Sequence, residues 1–137
     1  MQHHQQLSDT EFARQFTTGT LPPQWFSHEA HLRLAYVHIK QLGVDEACLR
    51  VCTDIQRFDR LHGDGTKFHR TLTIASVMAV NHFVQKASGT TFVELLTEFP
   101  RLRDNFRGLL ECHYSRERYL SAEAKNNYIE PDLLPFT

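Results

Sequence analysis

Apolar positions along this chain recur with the period of a helix, and nowhere does a period of two persist long enough for a strand. Ser8 and Glu11 make a capping-box pattern that opens a helix over Asp9 to Thr17, and Gly19 ends it. Leu21-Pro22-Pro23 forces an extended connection, because proline pushes the residue before it out of the helical region. Ser27 caps a second helix that runs to Leu42 and stops at Gly43. Asp45 opens a third, ending near His62, and Gly63-Asp64-Gly65-Thr66 reads as a tight loop. A fourth helix spans about Lys67 to Ala87. Thr90 or Thr91 caps a short fifth one, broken at Pro100, and a sixth covers Arg101 to about His113. Ser115 and Ser121 cap short turns, and the tail from Tyr128 to Thr137 wraps the surface. The expected fold is an all-α, single-domain bundle of about five to six helices over residues 1–137, with residues 1–6 a disordered start.

At about 100° per residue, each long helix has one inner face. On the second helix His28, His31, Leu32, Ala35, Ile39 and Leu42 share it, while Glu29, Arg33 and Lys40 lie away. On the third, Cys48, Val51, Cys52, Ile55 and Phe58 cluster; on the fourth, His69, Leu72, Thr73, Ser76, Val80 and Phe83. The polar line His69, Thr73, Ser76 on an inner stripe needs partners, since an unmet buried polar group costs a few kcal/mol.

Composition narrows the function classes. With 15 basic and 16 acidic residues the net charge is −1, which opposes a dedicated nucleic-acid binder. Three cysteines make no disulfide framework, and Cys48 and Cys52 read as small apolar packing groups. No apolar run is long enough to span a membrane, and the start lacks a secretory signal, so the cytoplasm is the expected compartment. Nine histidines are many for 137 residues, and they direct attention to chemistry.

His28 and His31 stand three apart in the first turn of a helix, so their imidazoles can converge on one ion or substrate. His69 holds the equivalent place on the fourth helix. Together the three suit a site with an open fourth position for a divalent transition metal (zinc, iron or similar), or a proton-transfer group. The segment His28-Glu29-Ala30-His31 lacks the four-residue spacing of the zinc-protease motif, and Glu29 is expected to be solvated or paired with Arg33. Thr73 and Ser76 would orient substrate. Around the turn Tyr114-Ser115-Arg116-Glu117-Arg118-Tyr119, Arg116 and Arg118 with Tyr114 would grip a carboxylate or phosphate, and Lys67 would add a cation at the mouth. Trp25 and Phe26 read as a lid or staple over the core.

The segments Trp25 to Ala35, Lys67-Phe68-His69-Arg70-Thr71-Leu72-Thr73, Tyr114 to Ser121 and Glu130-Pro131-Asp132-Leu133 resemble the motifs of a bacterial family of small hypothetical helical proteins. The resemblance runs from Pro22 onward. It implies one recurring design and brings no activity with it.

Two readings follow. One is a small-molecule enzyme with a histidine-lined, metal-assisted or acid–base pocket and an arginine for an anionic substrate group. The other is a non-enzymatic module that binds a small acidic metabolite, or a helical interaction protein whose histidines are structural. Both share three requirements. His28, His31 and His69 must meet at one end of the bundle, Arg116 or Arg118 must reach them, and no nucleic acid or membrane takes part.

Overall fold

The computed structural model describes residues 3–136. It is all-α and has no strand among those residues. The helices are α1 (Asp9–Thr18), α2 (His28–Leu42), α3 (Val44–His62), α4 (Arg70–Lys86), α5 (Phe92–Glu98), α6 (Arg101–Asp104), α7 (Phe106–Glu111), α8 (Arg116–Tyr119) and α9 (Ala122–Asn126). Single 3-10 turns lie at His4–Gln6 and Pro23–Trp25.

The expected caps form. Ser8, Ser27, Ser115 and Ser121 each accept the backbone N–H three residues on, satisfying one orphan donor of the helix start. The reciprocal capping box closes at Thr91 and Glu94. It does not close at Ser8, where Glu11 turns instead to Arg14 at 2.6 Å. Gly19 ends α1 in the left-handed conformation at φ 77°, which a side chain would strain.

Helices α2, α3 and α4 pack pairwise and make the frame, with α1 laid across α2 and α3. Phe12, Phe16, Leu32, Val51, Val77 and Val80 are among the fully covered side chains between them. A smaller cluster of Ala75, Ala79, Leu110, Tyr114 and Tyr119 fastens the C-terminal helices to α4.

Several local expectations are corrected. The fourth helix begins at Arg70, so Lys67 to His69 are still loop. The sixth helix breaks into α6 and α7 at Asn105, whose φ is −149°. The Asn105 amide folds against Gly108, where a Cβ would come within 2.5 Å of Nδ2; such a side chain competes with the helix for backbone partners. Arg33, expected outside, is buried. Its guanidinium donates to Asp9 and to the carbonyls of His4 and Leu7 and lies 4.8 Å above the Phe12 ring. That clamp also holds the turn His4–Gln6: His4 is buried, with Nε2 3.2 Å from Glu29, the residue expected to be solvated or paired with Arg33. The expectation of disorder at Met1 and Gln2 falls outside the described residues. Leu42, placed on the inner face, is exposed, because the last turn of α2 runs past the core.

Candidate functional site

A cavity of about 350 Å³ opens where α2 and α4 begin and α3 ends. Its apolar wall includes Phe26, Ile55, Phe58, Phe68 and Leu72. Its polar wall holds His31, Asp59, His62, Lys67, His69, Thr73 and Ser76. The sequence-derived residues His31, Lys67, His69, Thr73 and Ser76 are thus brought together. Helices separated by one intervening antiparallel helix put their starts at the same pole.

The three histidines differ in what their rings do. His69 is the N-cap of α4. Its Nδ1 accepts the N–H of Leu72 at 3.0 Å, so the proton sits on Nε2 and is donated to the Tyr119 carbonyl at 2.7 Å. Both nitrogens are therefore engaged. His28, expected on the inner face, is exposed at the first residue of α2; its Nε2 lies 3.0 Å from the Leu102 carbonyl, tying α2 to α6, and it lines a second cavity behind the first. His31 alone has an uncommitted, sealed nitrogen: its Nε2 shows almost no surface and has no hydrogen-bond partner. The residue as a whole keeps some exposure because its ring walls both cavities. Burial, with a smaller push from His28, lowers the His31 pKa from 6.5 to about 4. At neutral pH the ring is uncharged.

Among the described residues no group of three His, Cys, Asp or Glu side chains is arranged to hold a metal ion. His28, His31 and His69 are neighbours at one pole, but His28 and His69 each hold a backbone carbonyl with Nε2 while His31 Nε2 holds nothing. The hydroxyls are also partly spent: Thr73 donates to the His69 carbonyl and Ser76 to the Leu72 carbonyl, each at 2.6 Å. Their lone pairs remain free to accept from a ligand. This back-bonding also answers how a polar stripe survives on an inner face.

Arg116 and Arg118 do not line this cavity. Arg118 donates from Nε to the Glu130 carbonyl at 2.6 Å, and Arg116 is exposed. Tyr114 is fully buried and its hydroxyl donates to the Ile129 carbonyl. Asp132 reaches back to accept both the N–H and the hydroxyl of Ser115, at 2.9 and 2.6 Å. The arginine turn and the Glu130-Pro131-Asp132-Leu133 tail therefore hold each other. That turn meets the site through the backbone carbonyl of Tyr119 on His69 and through the packing of Leu72 against the cluster that holds Tyr114 and Tyr119.

Sequence reasoning missed Asp59, His62 and the aromatic wall. Asp59 accepts the N–H groups of Lys67 and Phe68 at 2.9 and 3.1 Å and so shapes the loop that carries Lys67 into the mouth. Gly63 is required beside it, since a Cβ there would lie 2.8 Å from Asp59 Oδ1. A signal existed: a carboxylate in the last turn of a helix opposes the helix dipole and needs outside donors. His62 donates to the Gly19 carbonyl at 2.8 Å and its ring lies tilted against Phe58, 4.5 Å between centroids, closing the side toward α1. Of the cysteines, Cys52 is buried and Cys48 half-buried, and burial pushes the Cys48 thiol up to about 11, as expected of packing groups.

Comparison with family models, with curated proteins and with solved structures finds no match for this chain. No helix among the described residues is long and apolar enough to cross a membrane.

Proposed function

We propose that the chain binds a small, mainly apolar molecule with an anionic group in the cavity at the starts of α2 and α4, with His31 as the buried polar anchor. One observation carries the reading. The His31 Nε2 is sealed from water, faces no protein partner and belongs to a ring that walls a cavity. Leaving such an atom unmet costs about 1–3 kcal/mol; of the three sealed, unpartnered nitrogens among the described residues, on His4, His31 and His38, that of His31 is the one whose residue lines this cavity. The cavity size falls in the usual range for ligand sites, which combine apolar walls with a few polar groups. The Lys67 side chain stands at the mouth, while the Asp59 carboxylate is occupied by two backbone N–H groups. The uncommitted charge is therefore positive, which favours an anion.

Binding suits His31 better than acid–base catalysis in the free protein. A general base works best with a pKa near the working pH, and burial holds this one at about 4. The enzyme reading is kept by one consideration: an anion brought beside the ring raises its pKa toward neutrality. A metal on His28, His31 and His69 would require His69 to give up at least the Nδ1 bond that caps α4 at Leu72, and ligation through Nε2 would cost the Tyr119 bond as well. Metal content of untagged protein tests that version. The binding reading is tested by thermal shift with a panel of small organic acids on the wild type and on His31→Leu. Stabilisation confined to the wild type supports it; equal shifts in both proteins refute it.

A further inference from the structure

The second cavity, of about 190 Å³, lies directly behind the first. His31, Leu72 and Ser76 line both, so a single layer of side chains separates them. The two differ in character. The outer cavity has Lys67 at its mouth and carries the site's hydrogen-bonding groups. Beyond the partition, the inner one is walled by Leu32, Ala35, Val80, Phe106 and Leu110, with His28 as its one further polar residue, and no formally charged side chain. A chamber of that kind offers a hydrocarbon group burial and offers a charged group nothing.

We propose that the two cavities form one bipartite site for an amphipathic carboxylic acid. The carboxylate lies in the outer chamber between Lys67 and His31, and an unbranched hydrocarbon tail passes the partition into the inner chamber. This rests on the binding reading above and adds the ligand class and the direction of the ligand. The partition is fit to move: Leu72 is only half-buried, and neither the Leu72 side chain nor the His31 Nε2 is held by a hydrogen bond. When the tail enters, the His31 Nε2–H has a carboxylate oxygen to donate to, and the orphaned nitrogen is satisfied.

The test uses the full chain and the saturated straight-chain acids from four to twelve carbons, with the matching primary alcohols, measured by calorimetry at neutral pH. Each methylene that enters the inner chamber should tighten binding by about four-fold, until the chamber is full and the gain stops. Ala35→Phe and, independently, Phe106→Trp fill the inner chamber. Each should flatten the gain with length, so that the long acids lose more affinity than the short ones. Phe106 is only half-buried, so its variant keeps the test usable should Ala35→Phe fail to fold. Lys67→Met should weaken the acids by about three-fold or more and leave the alcohols unchanged. Binding that does not depend on tail length, or a length gain untouched in a folded chamber-filling variant, overturns the bipartite site while leaving the outer pocket standing. Alcohols that bind as tightly as acids overturn the carboxylate head. Failure of every acid to bind overturns the proposal, whereas loss of all organic-acid shifts in both wild type and His31→Leu is what would sink the pocket itself.

Discussion

Replacing His31 with leucine should make the protein more stable and less able to bind. In the free protein the imidazole carries a sealed nitrogen without a partner. Leucine has a similar reach, brings no polar atom and sits among Phe26, Ile55, Phe58 and Leu72. The desolvation relieved is about 1–3 kcal/mol. Shape mismatch takes some of it back, leaving about 1 kcal/mol of gain at pH 7. Acid enlarges the difference. The ring's folded pKa of about 4 lies below its ordinary 6.5, so between those values the unfolded chain binds the extra proton. The wild type then loses stability as the pH falls through that window, and the leucine variant does not share this loss. By pH 5 the variant's advantage should grow by about 2 kcal/mol, and near pH 4 by at most about 3 kcal/mol.

Urea denaturation of both proteins at pH 7 and pH 5 measures this. The difference between the two proteins is the informative quantity, because His4 and His82 are also lowered by burial and contribute to the acid slope of each. A variant less stable than wild type at pH 7 by more than about 1 kcal/mol would show that Nε2 has a partner in the folded protein. A stability difference that does not change between pH 7 and pH 5 would refute the buried neutral imidazole.

Asp59→Ala removes the acceptor of two backbone N–H groups and should cost about 2 kcal/mol by thermal or urea melts, with faster amide exchange at Lys67 and Phe68. Asp54→Ala breaks a buried hydrogen-bonded pair in which His38 Nε2 lies 3.0 Å from the carboxylate, and should cost about 1–3 kcal/mol in the same melts. Arg116→Ala should change stability by less than about 0.5 kcal/mol and leave ligand shifts unaltered. Ser115→Ala, which deprives α8 of its cap and Asp132 of a 2.6 Å bond, should loosen the tail and cost about 1 kcal/mol, seen as increased exchange at Leu133 and Leu134.

The parts of the fold legible in the sequence are those set by neighbours in the chain. Ser27 and Gly43 bound α2 as expected, and Thr91, Ser115 and Ser121 cap the short helices, because a cap bond spans three residues. Legibility ends where the partner is far away. Arg33 falls on the outer side of its own helical wheel, yet residues 4 to 9 come back over it. Lys67 to His69 look like helix because nothing local reveals that Asp59, eight and nine residues upstream of Lys67 and Phe68 along the chain's return, holds two of their N–H groups. For the site, helix phase and the parallel course of α2 and α4 were enough to bring His31, His69, Thr73 and Ser76 to one cavity. Ring orientation was beyond reach, and it separates a free imidazole from a committed one.

That separation also accounts for the chain's wealth of histidine. His28, His62 and His69 each set Nε2 on a carbonyl of a segment distant in sequence, at Leu102, Gly19 and Tyr119. Each ties a helix terminus to a carbonyl near the end of another short element, where helices leave acceptors unmet. A histidine suits this task because its ring is rigid, reaches further than serine and needs no charge to donate. Such clamps gather around a pole where several helices start and stop, so histidines concentrate there whether or not they do chemistry. Their clustering in sequence motifs is thus first a sign of how the pole is held together. His31 lies inside the ring of clamps and performs none of that work. The clamps fix the walls, and of His28, His31 and His69 the one whose Nε2 is left without a partner is the one placed to meet a ligand.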